Sequence, residues 1–261
     1  MTRTMTGHPL GRLVLQAVVP IALVALWWIT SANSTSLYYP PLREALESLN
    51  EQWLFEQVGS DLLPSLGRFG IGYALAGLVG VGAGLALGLA PWLRRATSPV
   101  VEFQRALPPP LLLPFAFVVI GADNTGRVFV IALGSVWPVL LNTIDGVRGV
   151  HPEALEMARS FGLSPGQRVW RIVLPAASPR IMVGLRTALS IAIILMVISE
   201  MRAASNGLGF RVLSAQRSFD TAGMFAGIIV IGFVGVVLNG LFVLAERRIM
   251  GWYRGAQGIG V

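Results

Sequence analysis

No cysteine and no lysine occur among the 261 residues, and histidine appears only twice. Without cysteine there is no disulfide framework, no thiolate nucleophile and no thiolate metal site. Without lysine the phosphate-cradling pattern G-x4-G-K-[ST] cannot be written, so any ATP used with this chain must be bound elsewhere. His8 and His151 support no metal or catalytic constellation; His8 falls in an N-terminal tail, and His151 precedes Pro152 at a helix start, where capping is its expected role. H-E-x-x-H does not occur. The chain is therefore not expected to be an enzyme, and no catalytic or metal residue is assigned.

Charge is also scarce, at 13% of residues against 54% hydrophobic, with mean hydropathy +0.68. One soluble core of ordinary proportions cannot hide that much apolar surface, which places the chain in a bilayer. The net charge of +7 comes from 20 basic residues, all arginine, against 13 acids. In a soluble protein this would suggest nucleic acid. Here the arginines lie between apolar runs, the positive-inside pattern, and nucleic acid is set aside as a partner. Arg3 and Arg12 precede the first apolar run in the manner of a signal peptide, but no convincing cleavage site follows Trp27 and Trp28, so this run reads as a retained helix.

About 20 apolar residues cross a hydrocarbon core, and the charge-poor intervals predict an all-α, polytopic fold with about six membrane helices. The boundaries expected are 13–30, 62–91, 98–121, 126–147, 177–200 and 221–245, flanked by tails at 1–12 and 246–261. Spans three to five, interrupted by polar groups, read as interior. Pro108, Pro109 and Pro110 cap the start of a helix or break span three, and Pro114 predicts a kink. Gly80, Gly84 and Gly88 in span two, and Gly223 and Gly227 in span six, permit close helix approach, either within one subunit or between two.

Arginine counting sets the orientation. Placing the N-terminus inside puts Arg3, Arg12, Arg94, Arg95, Arg105, Arg148, Arg159, Arg168, Arg171, Arg180, Arg186, Arg247, Arg248 and Arg254 in the cytoplasm, and leaves Arg43, Arg127, Arg202, Arg211 and Arg217 outside. Both termini are expected to be cytoplasmic. The external segment 31–61 opens with Tyr38, Tyr39, Pro40 and Pro41, then carries apolar residues from Leu42 through Trp53 and Leu54 at helical spacing. Such an amphipathic helix covers the surface or receives an external partner. A second external loop is expected at 201–220.

The cytoplasmic loop 150–175 can be built from its residues. Pro152 suits a first helical position, with Glu153 and Glu156 favouring the positive helix end. Gly162 stops this helix, and Ser164 with Pro165 starts another that Pro175 should end. A rigid, bent, charged loop can pass force between a soluble partner and a membrane bundle.

Glu156, Ala158, Gly162, Ile172, Leu174 and Pro175 have the spacing E-A-A-x3-G-x9-I-x-L-P, which resembles the EAA loop of ABC-importer permeases; only Met157 departs from it. The segments LPAASPRIMVGLRTALSIAIILMVISEM, GLGF at Gly207–Phe210 and LNGLFVLAERRIMGWYRG are similar to the nitrate, sulfonate and taurine branch of that family. The resemblance implies a type I importer-like permease of the cytoplasmic membrane, working as a homodimer with two ATPase subunits and an external solute-binding protein. It also implies that ATP and Mg are bound by the ATPase and that no cofactor is held here. Coupling to the ATPase carries over onto Glu156, Ala158, Gly162 and Leu163.

For an anionic cargo, hydrogen-bond donors are expected along the route. The candidates are Ser135, Trp137, Asn142 and Thr143 in span four, with Ser190 and Ser199 in span five; each serves equally well as a helix-to-helix hydrogen bond. Glu200 reads as a surface partner of Arg202 or as an external gate, and Glu102 with Arg105 as a structural pair. A permease for another small organic solute is the main alternative. A secondary transporter is disfavoured because the deep parts of spans one, four and six carry no carboxylate.

Overall fold

The computed structural model describes residues 9–53 and 57–256. Arg3, His8, Leu54, Glu56 and residues 257–261 of the C-terminal tail lie outside the described residues. Every regular element among the described residues is helical. The chain divides into two compact units, one made of the residues up to Val58 with Val212–Val230, the other of Gly59–Arg211 with Ile231 onward.

In the first unit, α1 (Pro9–Ser31) presents Val19, Ile21, Leu23 and Ile29 as exposed apolar side chains. A turn then folds back on its end. The buried Ser31 Oγ accepts the Leu42 N–H at 3.0 Å, and Thr30 and Tyr39 share a hydroxyl bond of 2.8 Å. This seats α2 (Leu42–Ser48), which buries Leu42 and Ala45. The amphipathic helix is thus shorter than its sequence pattern suggests, and gives way to a π-wound turn at Leu49–Trp53.

The second unit is built around three long helices, α3 (Leu63–Leu89), α6 and α9, with short pieces between them. α4 (Pro91–Ala106) buries no residue and carries the exposed Glu102–Arg105 pair at 3.3 Å. Instead of continuing as one span over 98–121, the chain breaks at Leu107 and Pro108, makes a 3-10 turn at Pro109–Leu111, and restarts as α5 (Leu112–Val119). Three successive prolines offer no N–H to a helix, so the break falls there. Pro114 sits in the first turn of α5, where a missing donor costs nothing.

α6 (Asn124–Arg148) is the core helix, with buried residues on every side from Gly126 to Val147. α3 packs along it through a glycine stripe. A Cβ on Gly72 would lie 2.6 Å from Ile131 Cγ2, on Gly80 2.7 Å from Val139 Cβ, on Gly84 2.5 Å from Thr143 Cβ, and on Gly88 2.7 Å from Val147 Cβ. The small residues of span two therefore serve contact within this chain, which makes span two part of the interior alongside spans four and five. α7 (Pro152–Ser160) and α8 (Pro165–Arg168) form the loop before α9 (Leu174–Ala203), which packs on both α6 and α3. α10 (Leu208–Arg217), α11 (Thr221–Ile249) and α12 (Gly251–Ala256) complete the chain. α3, α6, α9 and α11 are long and apolar enough to cross a membrane, while the apolar stretches Val18–Ser31 and Pro109–Val119 are shorter.

The stripe makes a prediction. Gly84→Ala forces a methyl against a β-branched side chain close to its backbone, and should cost about 1–3 kcal/mol in thermal unfolding of the purified protein. Gly82, with nothing within 4 Å of its Cβ position, should accept alanine without loss.

Candidate functional site

Two regions of the second unit hold the loop residues and Glu200 that sequence reading singled out. The first is the loop after α6. Pro152 opens α7 with Glu153 in its first turn, but His151, at the N-cap position, makes no side-chain cap bond; only its carbonyl is engaged, by the Ala154 N–H at 3.1 Å. α7 ends in a Schellman turn: Leu163 N–H donates to Ala158 O at 3.0 Å and Gly162 N–H to Arg159 O at 2.9 Å, with Gly162 at φ +70°. Nothing crowds the Gly162 Cβ position, so the backbone angle is what requires glycine there.

The next helix begins at once. Ser164 Oγ accepts the Gln167 N–H at 3.4 Å and Gln167 Oε1 accepts the Ser164 N–H at 2.9 Å, a complete capping box with Pro165 behind it. Pro175 does not end this helix. α8 runs through a π-wound turn at Val169–Val173 into α9, giving one helical rod over Pro165–Arg202. The wide turn shifts the hydrogen-bond register, and Pro175, which has no N–H to give, stands two residues after its end, at the start of α9.

Val147 and Val150 at the end of α6 pack with Val173, Ala177 and Ile181, and Leu155 of α7 joins them. This core seats the loop. Ala158 is buried, Leu163 half-buried, and Glu156 and Gly162 exposed. Met157 at 60% exposure and Phe161 at 77%, one helical turn apart, present an apolar face beside Glu156. Phe161 was not singled out from the sequence, where an aromatic in a polar loop reads as core.

A second region lies at the start of α3, the end of α9 and the segment leading into α10. Glu200 is fully buried and does not pair with Arg202 at the surface. It accepts from Arg68 Nη1 at 2.7 Å, from Ser65 Oγ at 2.7 and 2.9 Å, and from the Gly209 N–H at 3.1 Å. Ser65 Oγ accepts the Leu208 N–H at 2.9 Å, and the buried Asp61 accepts the Gly207 N–H at 2.7 Å and Arg211 Nε at 3.2 Å. Three successive N–H groups at the α10 N-terminus are thus satisfied by carboxylates and a hydroxyl, which suits the positive helix end. Gly207 has φ +119°, and a Cβ there would lie 2.5 Å from the Glu200 carboxyl carbon. GLGF is glycine-rich because the backbone must reach these acids. Asp61, Ser65 and Arg68 escaped sequence reading, since their partners lie more than 130 positions away.

The route candidates are not gathered at one surface. Thr143 is buried against Gly84 and donates to Val139 O at 2.7 Å; Ser199 is buried and donates to Met196 O at 2.9 Å. Asn142 Nδ2 donates to Pro138 O at 2.8 Å. Ser135 Oγ and Trp137 Nε1 are buried atoms with no hydrogen-bond partner among the described residues, and Ser190 is exposed.

Residues 76–251 match the model of the binding-protein-dependent transport system inner membrane component. The chain belongs to that family. It is accordingly a membrane transport permease, the subunit type of ABC importers that works with ATPase and binding-protein partners. Among curated relatives, the taurine transport system permease protein TauC of Escherichia coli (strain K12) is 32% identical, covering 95% of this chain and 94% of its own. The nitrate import permease protein NrtB of Leptolyngbya laminosa is 25% identical over 94% and 91%. Among solved structures, the MetNI methionine ABC transporter in inward-facing conformations matches with TM-score 0.60 at 21% identity, covering 77% of this permease and 96% of that chain; the likeness is one of fold.

The ionic network of the permease makes its own prediction. Glu200→Gln leaves the Arg68 charge buried without its partner, and should lower stability by about 3–5 kcal/mol. Adding Arg68→Gln restores a neutral hydrogen-bonded pair, so the double variant should unfold at a higher temperature than Glu200→Gln alone.

Proposed function

We propose that this chain, paired with a second copy, forms the route by which a small anion of the sulfonate, taurine or nitrate class enters the bacterial cytoplasm. It spans the cytoplasmic membrane with both termini inside, receives solute from an external binding protein, and is driven by two ATPase subunits that bind ATP and Mg. Its similarity to permeases named for taurine and nitrate transport supports the choice of cargo. A permease for another small organic solute is the second reading.

The observation that carries the coupling role is the fusion of the loop to a membrane helix. One rod runs from Pro165 to Arg202, and the Schellman turn at Gly162 fixes α7 against it. Force applied to α7 by an ATPase is passed to α9 without a flexible joint. Glu156, Met157 and Phe161 offer the ATPase a charge beside an apolar face, while Ala158 and Leu163 hold the turn. Glu200 acts as an external gate by locking the end of α9 to the start of α3 through Arg68.

Gly162→Pro removes both the N–H given to Arg159 O and the positive φ, and Glu156→Lys reverses the exposed charge. Each variant should insert into the membrane normally, lose at least tenfold in uptake, and co-purify poorly with the ATPase. Wild-type uptake and co-purification in both would remove the loop from coupling. Retention of sulfonates or nitrate by the cognate binding protein names the cargo, and retention of only uncharged or cationic solutes would overturn the anion class.

A further inference from the structure

A cavity of about 550 Å³ lies where the end of α3, one face of α4 and the end of α6 meet, at the same end of the bundle as the 150–175 loop. Its volume falls in the range of small-molecule sites, roughly 300–1,000 Å³. None of its residues belongs to that loop, to the Glu200 network or to the route candidates named above. We propose that this cavity holds the phosphate of an anionic phospholipid, whose chains lie along the outer face of α4.

The wall carries Arg94, Arg95 and Arg105 of α4 and Arg148 of α6, against only Glu102 and Asp145. Most of this cationic surface is uncommitted. The guanidinium groups of Arg94 and Arg148 make no hydrogen bond or ion pair with any described residue. Arg95 uses only Nε, which donates to the Pro91 carbonyl at 3.3 Å, and Arg105 uses only Nη1, which donates to the Glu102 carboxylate at 3.3 and 3.4 Å. The Asp145 carboxylate is exposed and does not pair with Arg148, one turn further along α6. With Glu102 matched to Arg105, three arginines remain against Asp145 alone, and the cavity attracts an anion. A phosphodiester has two charged oxygens to offer, which suits the planar forks of guanidinium groups.

The surroundings decide which anion. α3 ends the apolar segment Val58–Leu89, long enough to cross a membrane, and α4 starts at Pro91, so the cavity sits at the depth where a span leaves the hydrocarbon and lipid phosphates lie. α4 buries no residue. Its polar side lines the cavity, while Trp92, Val100 and Phe103, all exposed, are spaced to form an apolar stripe away from it. Arg95, Pro99 and Phe103 follow one another at four-residue spacing, so the edge of the cavity runs into the stripe. A helix of this kind lies in the membrane interface with its apolar side among the acyl chains, a depth that tryptophan favours. A soluble anion would need the arginines but not the stripe. A lipid uses both, and a basic pocket beside membrane helices is the geometry that takes an anionic headgroup.

Lipid binding is read without transport, so the outcome is independent of the cargo. The full chain with its ATPase, immobilised in detergent micelles, is incubated with tritiated phosphatidylglycerol and challenged with unlabelled phosphatidylglycerol, phosphatidylcholine or sodium phosphate at constant ionic strength. Label should be retained saturably, and phosphatidylglycerol should displace it at a concentration at least tenfold below that of phosphatidylcholine. Absence of saturable retention, or equal displacement by the two lipids, would overturn the site. Displacement by sodium phosphate would make the ligand a free anion and overturn the lipid. Arg94→Gln combined with Arg148→Gln should weaken retention at least tenfold, whereas Arg247→Gln combined with Arg248→Gln, which removes the same charge from the end of α11, should leave it unchanged. Equal loss in both pairs would mean general surface charge and overturn the cavity. Ser98→Glu, at an exposed position of the wall, adds a carboxylate there and should weaken retention even if the arginine pair purifies poorly. Because the chain has no cysteine, Phe103→Cys gives it a single thiol. Oxidative crosslinking of two copies through that thiol would show that a second copy, not lipid, covers α4, and would overturn the proposal.

Discussion

α3 lies against α6 with no side chain between them at four positions. Gly72, Gly80, Gly84 and Gly88 face Ile131, Val139, Thr143 and Val147, each at a distance that excludes even a methyl group. In a bilayer there is little hydrophobic gain in bringing two helices together, so close packing of backbones supplies the attraction. α9 packs on α6 as well and also meets α3, where the Tyr73 hydroxyl donates to the Leu185 carbonyl at 3.0 Å, and Gly184 of α9 approaches the Pro138 carbonyl in the same manner. The placement of both polar regions follows from this three-helix core, because each region is assembled from the ends of these helices.

At one end, the contact brings Ser65 and Arg68 of α3 to Glu200 of α9 and to the first turn of α6. A buried ion pair is expensive to form, and this one is completed by a hydroxyl, backbone N–H groups and two amides that leave few groups unsatisfied. Such a pair is better suited to fixing one arrangement of helices than to adding net stability. It also explains the glycines entering α10, since a Cβ on Gly207 would meet the Glu200 carboxylate and one on Gly209 the Val197 carbonyl.

At the other end, the core formed by Val147, Val150, Val173, Ala177 and Ile181 anchors the 150–175 loop. α7 is short and its outer face is exposed, so it is held by the Schellman turn and by Leu155 rather than by its own length. A short helix fused through a defined turn to a long membrane rod transmits displacement, whereas a flexible linker would absorb it.

Periodicity and composition determined by themselves that the chain is helical and membrane-embedded, because hydropathy and breaker residues act over a few neighbouring positions. The loop was legible for the same reason: Pro152, Gly162, Ser164 and Pro165 each play the local role their chemistry dictates. Where two local signals competed, at Pro175, the π-wound turn decided in favour of a continuous helix. Only the tertiary structure decided that the span-two glycines pack on α6, and that Thr143 and Ser199 are closed off by helix contacts. It alone made Glu200 the buried partner of Arg68, 132 residues away. No pattern in the sequence encodes a pairing across that distance, because a buried charge is distinguished from a surface one only by what the rest of the chain brings to it.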